Sequence, residues 1–470
     1  MALGLGYGLP FAVQRPVEGF ANSIASSTAR AIVSGATQEQ AGGCLTGRAL
    51  TVMQTVQPQP SLLIVPQLYK AGALYPQLPT SASGDFTVTR ATTATRVNSS
   101  GLIESVASGV PRIDWLGQSC PALLVEPSGS NGIRNNSMVG ANVSTNALPT
   151  NWLTTLNGLS RQIIAIGTES GIDYIDIKLS GTANNTVATI APESSTQIVA
   201  ASGQTWTNSV YIKIISQPSP PSSYSLAFRE GTSGGSFVNS GSSAITPTTT
   251  LQRLSATRTL TGATTERVQP QINFALVSGS TYDFTVRIGW PQMEQSSVAT
   301  SPIPTTTGSA SRNADQIVAS GALVSGLIGQ TEGTIYAEVD LRNWIASGRI
   351  LTCSNGTSDE RLMIQVGANR TLQAIVTTAS ADVADISTAS GQVNGVYKCA
   401  LTYASGNFAF YVNGTQIGTD SSGGVPACTS VFLGKIGTSA STNFLNDRIR
   451  AVALYTTRLS NDQLAELTRL

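Results

Sequence analysis

Residues 90–127 read RATTATRVNSSGLIESVASGVPRIDWLGQSCPALLVEP. Two short alternating runs flank Asn98-Ser99-Ser100-Gly101, and a second pair of runs flanks Gly117. Asn, Ser and Gly accept the positive φ angles and local side-chain hydrogen bonds that a tight reversal needs. The stretch therefore predicts two β-hairpins. Its arginines and acids, Arg90, Arg96 and Arg112 with Glu104, Asp114 and Glu126, are expected to form structural pairs.

The composition of the whole chain agrees with a turn-rich, all-β protein. The 470 residues leave room for about three domains. Only 11% of them are charged, against about 25% in an average globular protein. The hydrophobic content of 41% and the net charge of +1 argue against disorder. A surface this poor in charge is typical of subunit interfaces within an assembly, and a Ser/Thr-rich secreted β-protein remains the alternative.

Charge and hydropathy exclude several kinds of partner and chemistry. No basic run is interleaved with aromatic residues, so nucleic acid is not an expected partner. The longest apolar run, residues 62–65, is far shorter than the roughly 20 residues that cross a bilayer, so no membrane insertion is expected. The N-terminus lacks the positive start of a signal peptide. The chain has no histidine, which excludes Ser-His-Asp and Cys-His mechanisms and His-containing metal sites.

The cysteines predict a protein made in a reducing cytoplasm. They are odd in number, widely spaced and form no C-x-x-C pair, which is typical of buried, reduced thiols and not of zinc ligands. A Cys353–Cys399 disulfide is the alternative. The five positions are Cys44, Cys120, Cys353, Cys399 and Cys428.

The spacing of prolines, alternating runs and turn clusters divides the chain into successive parts. Seven prolines punctuate the start, where alternation is weak, and such a segment would struggle to form its own core. Further on, seven alternating segments separated by turn clusters predict a jelly-roll sandwich. The predicted parts are an N-terminal assembly arm (1–83, with one short helix at 22–35), a hairpin strip and connector (84–150), a jelly roll (151–305), a linker (306–320) and a second sandwich (321–470).

Two stretches resemble structural proteins of tailed bacteriophages. The strip at 90–127 is similar to a segment that precedes lectin-like sandwiches in those proteins. The run Trp290-Pro291-Gln292-Met293-Glu294, followed by ATSPIPT at 299–305, resembles the end of their carbohydrate-binding-module-like jelly rolls. The resemblance implies a virion protein, made in the bacterial cytoplasm, whose arm contacts capsid or tail proteins. The resemblance to fibre and spike proteins of this kind also implies a homotrimer.

The last part resembles the laminin-G/concanavalin A-like family. EGTIYAEVDL at 332–341 alternates perfectly, FYVNG at 410–414 matches the family's hairpin, and 449–467 match its closing strand and helix. Asn413-Gly414 predicts a tight turn, and Ser460 with Gln463 predicts a helix capping box. The resemblance implies a lectin-like sandwich.

Contact with carbohydrate is the chemistry that remains. Sugar-binding sandwiches stack the apolar face of a ring on Trp or Tyr and bind hydroxyls through Asn, Asp or Arg. The candidates are Trp344 beside Arg342 and Asn343, the loop from Asn355 to Asp359, and Trp206 with Tyr224 in the jelly roll. The alternative is that these aromatic residues only pack in a core or an interface.

No cofactor is expected, although calcium, common in the lectin-like family, stays open. Calcium needs clustered oxygen ligands, which Asp420, Asn446 and Asp447 would supply if they converged. No catalytic residue is expected either. Glycoside hydrolysis needs two flanking acids, and Glu338 with Asp340 lie on one face of a strand, while Asp359/Glu360 and Asp382/Asp385 are the other pairs. Solvated charges are the simpler interpretation of all three pairs.

These observations predict a non-enzymatic structural component of a phage virion, such as a fibre, spike or decoration protein. Its lectin-like domains would bind host surface glycans. The alternatives are a dedicated receptor-binding protein and a glycan-degrading spike enzyme.

Overall fold

Alternating and β-branched segments form strands throughout the part of the chain that the structure describes. A computed structural model describes residues 37–38, 58–437 and 443–470. The first strands are β1 (Thr37–Gln38), β2 (Leu62–Ile64), β3 (Leu68–Lys70), β4 (Ala73–Tyr75), β5 (Phe86–Thr89), β6 (Ala94–Val97), β7 (Ile103–Val106), β8 (Arg112–Asp114), β9 (Ala122–Val125) and β10 (Gly129–Asn131). They are followed by β11 (Leu153–Thr155), β12 (Leu159–Glu169), β13 (Ile172–Thr182), β14 (Val187–Ala191), β15 (Thr205–Ser219), β16 (Ser223–Gly231), β17 (Phe237–Ile245), β18 (Gln252–Thr259), β19 (Arg267–Ala275) and β20 (Thr281–Glu294).

The C-terminal part continues the all-β pattern and ends in a short helix. Its strands are β21 (Ala310–Arg312), β22 (Gln316–Ser320), β23 (Glu332–Leu341), β24 (Arg349–Ser354), β25 (Arg361–Val366), β26 (Leu372–Thr378), β27 (Ala381–Ser387), β28 (Gly395–Ala404), β29 (Phe408–Val412), β30 (Thr415–Asp420), β31 (Ser430–Leu433) and β32 (Asp447–Tyr455). A 3₁₀ turn covers Gly321–Leu323, and helix α1 covers Asn461–Leu467. The predicted all-β fold class is confirmed. Within the described residues, no helix is long and apolar enough to cross a membrane.

The chain folds into two compact units that interleave in sequence. Among the described residues, unit 1 comprises 37–38, 58–88, 118–125, 316–437 and 443–470, and unit 2 comprises 89–117 and 126–315. The predicted parts, in contrast, follow one another along the chain. The structure differs because two short pieces that precede the jelly roll, 58–88 and 118–125, belong to the same unit as the C-terminal residues 316–470.

Unit 2 is a β-sandwich of two antiparallel sheets. One sheet has the order β11-β14-β19-β16-β17 and the other β12-β13-β20-β15-β18. Alternate side chains of both sheets form one apolar core, in which Phe274 packs 5.2 Å from Phe284 between ring centroids. One of the seven predicted alternating segments, residues 252–259, forms β18, whereas the Ser/Gly-rich β17 has no alternating signal. The hairpin predicted around Gly101 is present, since β6 pairs with β7 from Ala94–Val106 to Val97–Ile103.

Unit 1 carries the second sandwich. One sheet runs β1-β3-β4-β5-β22-β31-β24-β25-β26-β27, and the other runs β30-β29-β28-β23-β32-β9, with β2 also pairing with β32. The predicted strand 332–341 is β23. Asn413 and Gly414 have φ of 50° and 81°, as the predicted tight turn requires. Helix α1 has the predicted capping box, in which the Ser460 N–H donates to Gln463 Oε1 at 2.7 Å.

Two predicted boundaries differ from the structure. The described part of the 1–83 arm supplies β2, β3 and β4 to unit 1, where Leu62, Leu63 and Ile64 are fully buried. Burying these side chains outweighs the weak local strand signal. The predicted linker 306–320 contains β21 and β22, of which β21 pairs with β10. The strands of the second predicted hairpin are present as β8 and β9. The predicted helix at 22–35 lies outside the described residues.

The cysteines depart from the prediction at one position. Cys120 is disulfide-bonded, so the expectation that all thiols are reduced is wrong there. Cys353, Cys399 and Cys428 are free and buried, so the alternative Cys353–Cys399 bridge is absent. Burial raises the pKa of all three thiols, which keeps them protonated and unreactive.

Candidate functional site

The turn between β24 and β25 is the exposed polar feature that the sequence singled out in unit 1. Asn355 Oδ1 accepts the Thr357 N–H at 2.9 Å and the Thr357 hydroxyl at 2.7 Å. The Thr357 hydroxyl oxygen in turn accepts the Asp359 N–H at 3.1 Å, and Gly356 has φ of 96°. These Asx- and Thr-type turns follow directly from an Asn-Gly-Thr sequence. They fix the backbone and leave Asn355 and Asp359 exposed.

Two neighbouring segments join this turn. Asp359 accepts the Ser380 N–H through its carbonyl and the Ser380 hydroxyl through its side chain, both at 3.0 Å. The Glu360 carboxylate accepts the Ala379 N–H at 2.8 Å and the Ala427 N–H at 3.2 Å. We call residues 355–360, 379–380 and 427 the turn cluster. It is a braced, exposed polar surface whose amide and carboxylate groups can bind hydroxyl groups.

Trp344 lies at the other end of β24 from the turn cluster. It precedes the strand, which starts at Arg349, whereas Asn355 follows the strand's last residue. The Trp344 side chain is only 8% exposed and packs edge-to-face on Tyr397, with centroids 5.5 Å apart. Its indole N–H has no hydrogen-bond partner. Its ring face is therefore covered, which favours the packing alternative over a sugar platform.

Trp206 and Tyr224 belong to the core of unit 2. Trp206 is 6% exposed, and its indole N–H donates to Gln204 Oε1 at 3.2 Å. Tyr224 packs edge-to-face on Phe274 with centroids 5.8 Å apart. Of the sugar-contact candidates, only Asn355 and Asp359 are brought together on an exposed surface.

The acid pair on β23 is buried and neutralised. Glu338 forms an ion pair with Arg450 at 2.8 Å. Asp340 forms an ion pair with Arg342 at 2.8 Å and accepts the Gln118 side-chain amide at 2.7 Å. The two carboxylates share a face, as the i, i+2 spacing predicts. Burial with fixed partners gives them a structural role and no access to a glycosidic bond.

The remaining acid pairs also have local partners. Asp382 accepts the Thr377 hydroxyl at 2.5 Å and lies 3.4 Å from an Arg361 guanidinium nitrogen. Asp385 accepts the Gln373 side-chain amide at 2.5 Å. They are hairpin side chains held by their neighbours.

The three calcium candidates do not converge. Asp420 pairs with Phe408 at the end of the sheet where β23 begins, whereas Asp447 lies where β23 ends. Asp447 accepts the Arg342 and Asn343 N–H groups at 2.9 Å each, and burial raises its pKa to about 7. The Asn446 side chain is fully buried beside it without hydrogen-bond partners. In the described part of the chain, no three acidic or Cys side chains are grouped to hold a metal ion, so these residues do not fit a calcium site.

A buried ion network organises the strip in unit 2. Arg112 pairs with Glu126 at 2.6 Å and with Asp315 through a second short contact. Arg90 reaches Asp315 at 2.8 Å, and Arg312 reaches Glu126 at 2.8 Å. Burial alone would raise the pKa of Glu126, but Arg312 and Arg112 together hold it below its ordinary value. Sequence reasoning expected structural pairing of Arg90, Arg112 and Glu126 but missed the partners Arg312 and Asp315, about 200 residues away.

The outer part of the strip is paired more loosely. Arg96 and Glu104 form a partly exposed ion pair at 2.8 Å across the β6–β7 hairpin. Asp114 accepts the Val97 and Leu116 N–H groups at 2.9 and 3.0 Å. The charged groups of the strip therefore join backbone segments, as expected.

A protein-family comparison defines the class of the C-terminal domain. Residues 313–465 match the model of the concanavalin A-like lectin/glucanases superfamily, of the laminin G type. The C-terminal domain is therefore a concanavalin A-like, lectin-like domain. A comparison with curated protein sequences finds no match.

Several solved structures are similar over part of the chain. The CBM40 of the Ruminococcus gnavus IT-sialidase, bound to α2,3-sialyllactose, is 16% identical over 32% of this chain and 88% of its own, with a TM-score of 0.29. Domain 4 of AbnA, a GH43 arabinanase from Geobacillus stearothermophilus in complex with arabinotriose, is 14% identical over 37% of this chain and 82% of its own, with a TM-score of 0.27. The enzymatically active domain of Bacteriophage CBA120 tailspike protein 4 is 13% identical over 35% of this chain and 21% of its own, with a TM-score of 0.22. These are similarities of fold and say nothing about a ligand.

Proposed function

We propose that this chain is a structural component of a tailed-phage virion whose C-terminal domain binds host surface glycans. The observation that carries the proposal is the concanavalin A-like domain at 313–465, which bears an exposed polar turn cluster. The virion assignment is supported by the resemblance of 90–127 and 290–305 to phage structural proteins. The protein would act by binding and display, without a cofactor or catalysis.

The turn cluster is the surface proposed to contact the glycan. Sugar hydroxyl groups are bound by amides and carboxylates whose geometry is fixed in advance. Asn355 and Asp359 meet that requirement because the turns and the Ser380 contacts brace the backbone that carries them. Such a small polar site binds weakly as a single copy, and several copies on one particle raise the avidity. A homotrimer would supply that multiplicity.

Attachment to the particle belongs to the N-terminal arm in this proposal. Residues 1–36 and 39–57 lie outside the described structure, and the arm's described strands β2, β3 and β4 are part of unit 1. In this proposal, the segment before residue 58 contacts the capsid or tail.

A glycan array probed with the full chain tests the binding proposal. We expect wild-type protein to bind a subset of bacterial surface glycans and the Asn355→Ala/Asp359→Ala variant to lose at least tenfold in affinity. Glu332→Ala, which removes an exposed carboxylate from β23 on the other sheet, is the matched control and should bind like wild type. Absence of binding by wild-type protein to any bacterial surface glycan would contradict the proposal.

The spike-enzyme alternative is tested separately. We expect no release of reducing ends when the full chain is incubated with host surface polysaccharide. Release that is lost on Asp359→Ala, a change at an exposed side chain, would establish the enzyme instead.

A further inference from the structure

Strand β17 is a long, exposed edge of the sandwich in unit 2. It pairs with β16 on one side, and within the described residues its other side pairs with no strand. Nearly all of its nine residues are exposed or half-exposed. Phe237 at its start is 63% exposed. An unpaired strand edge presents a row of free N–H and C=O groups to solvent.

The other edges of this sandwich carry the features that prevent strand addition. β11 has only three residues. β12 contains a register shift after Ile163 and carries Arg161 and Glu169, and β18 carries Arg253 and Arg258. Bulges, short length and charges are the usual protection of an edge. β17 reads FVNSGSSAI, with no charge and no proline; its one register shift lies at Val238, at the start of the strand, and 239–245 are regular.

The sequence of β17 is complementary to itself. Antiparallel pairing centred on Gly241 places Ser240 opposite Ser242 and Asn239 opposite Ser243 of the second copy. The bulge at Val238 interrupts this register at the ends, where the apolar Phe237 and Val238 of one copy face the apolar Ala244 and Ile245 of the other. Small polar residues meet at the centre. Cross-strand pairs of this kind stabilise a sheet.

Several residues of β17 already have contacts within their own copy. A Cβ at Gly241 would overlap the Arg258 guanidinium, and Asn239 donates to the Thr261 hydroxyl at 2.9 Å. The Arg229 guanidinium lies 5.8 Å from the Phe237 ring centre. Ser242, Ser243 and Ala244 are exposed in succession. One outward contact is occupied, since the Ser240 N–H donates to Asn239 Oδ1 at 2.8 Å, and pairing would exchange that local bond for an intermolecular one.

We propose that β17 is a self-association surface, at which two copies of this chain pair antiparallel about a two-fold axis at Gly241. The contact is isologous, with the same strand used by both copies, and joins two five-stranded sheets into one continuous sheet. It is independent of the glycan-binding proposal and adds a two-fold contact to any three-fold assembly of the protein.

Cysteine cross-linking of the full chain tests the register. Asn239→Cys and Ser243→Cys proteins are prepared separately and then mixed under mild oxidation. Residues 239 and 243 oppose each other only between copies, so we expect a disulfide-linked dimer in the mixture and far less in either protein alone. The buried thiols of Cys353, Cys399 and Cys428 give little background. A mixture that cross-links no better than the separate proteins would overturn the proposal.

A charge at the axis tests the contribution of the contact to assembly. Ser242→Lys places two lysines as diagonal neighbours across the axis, within about 8 Å, on a side chain that is exposed in the single copy. We expect the mass of the assembly, measured by sedimentation velocity, to fall at least twofold. Ser202→Lys, at an exposed turn of the same unit, is the control and should leave the mass unchanged. A wild-type mass that Ser242→Lys does not lower would overturn the proposal, and circular dichroism shows whether the variant remains folded.

Discussion

The ion network of unit 2 and the turn cluster of unit 1 use charged and polar residues in opposite ways. In the network, Arg112 is fully buried and its charge is balanced by Glu126 and Asp315. In the turn cluster, Asn355 and Asp359 are exposed, and their bonds brace only the local backbone. Only 11% of the residues are charged, and those of the ion network join segments that are distant in sequence. The exposed polar residues of the turn cluster form the surface at which glycan binding is proposed.

The largest expected effect is on the ion network. Arg112→Met keeps most of the side-chain volume but leaves Glu126 and Asp315 with one partner fewer in a buried site. Removing one partner of a buried ion pair costs about 3–5 kcal/mol, and chemical denaturation of the full chain should show a loss of that size. Arg96→Met, which breaks the partly exposed pair with Glu104, should cost about 0–1 kcal/mol. Equal losses in the free energy of unfolding would contradict the claim that the buried ion pairs stabilise the fold more than the exposed pair.

Asp447 should make the stability of unit 1 depend on pH. Its folded pKa of about 7 lies above the unfolded value of about 3.9. The buried carboxyl therefore contributes stability that is fully present below about pH 4 and is lost as the pH rises towards 7. Asp447→Asn keeps an acceptor for the two N–H groups and removes the charge. It should stabilise the protein at pH 8, by at most about 4 kcal/mol, and have little effect at pH 4. Thermal melts at both pH values measure this, and an equal effect at both would refute it.

Substitution of Trp344 distinguishes a role in packing from a role in sugar contact. Trp344→Ala should destabilise unit 1 by about 3 kcal/mol, because a buried aromatic side chain and its contact with Tyr397 are lost. The affinity for glycan should stay unchanged at temperatures where the variant is folded. Denaturation and glycan titration of the same sample decide between the two roles. A loss of affinity without a loss of stability would show that Trp344 contacts the glycan.

The smallest expected effect on stability is at the turn cluster. Asn355→Ala and Asp359→Ala change exposed side chains, and surface substitutions usually alter stability by no more than about 0.5 kcal/mol. The loss of stability for Asn355→Ala should lie at the upper end of this range because the substitution removes the acceptor for the Thr357 N–H and hydroxyl. Chemical denaturation measures both. A loss above about 2 kcal/mol would show that these residues hold the fold rather than a ligand.

Local signals explain what the sequence predicts well. The hairpin at 94–106, the strand at 332–341, the Asn413-Gly414 turn and the capping box of α1 depend on residues a few positions apart. The exposed turn at Asn355 follows in the same way from an Asn-Gly-Thr sequence. The features that the sequence missed depend on contacts across long separations. Arg312 and Asp315 meet the strip after about 200 residues, Leu62–Ile64 pairs with β32 near the C-terminus, and the burial of Trp344 depends on Tyr397. β17 was missed because its Ser/Gly-rich sequence lacks alternation, and its two β-branched residues, Val238 and Ile245, lie near its ends.

Quantitative binding of the full chain to purified host surface polysaccharide measures whether the turn cluster binds glycan. Surface plasmon resonance should compare wild-type protein with the Asn355→Ala/Asp359→Ala variant and with Glu332→Ala. We expect saturable binding by wild type and Glu332→Ala and at least a tenfold loss of affinity in the double variant, with its thermal stability retained. Unchanged binding by a folded double variant would contradict the claim that the turn cluster binds glycan.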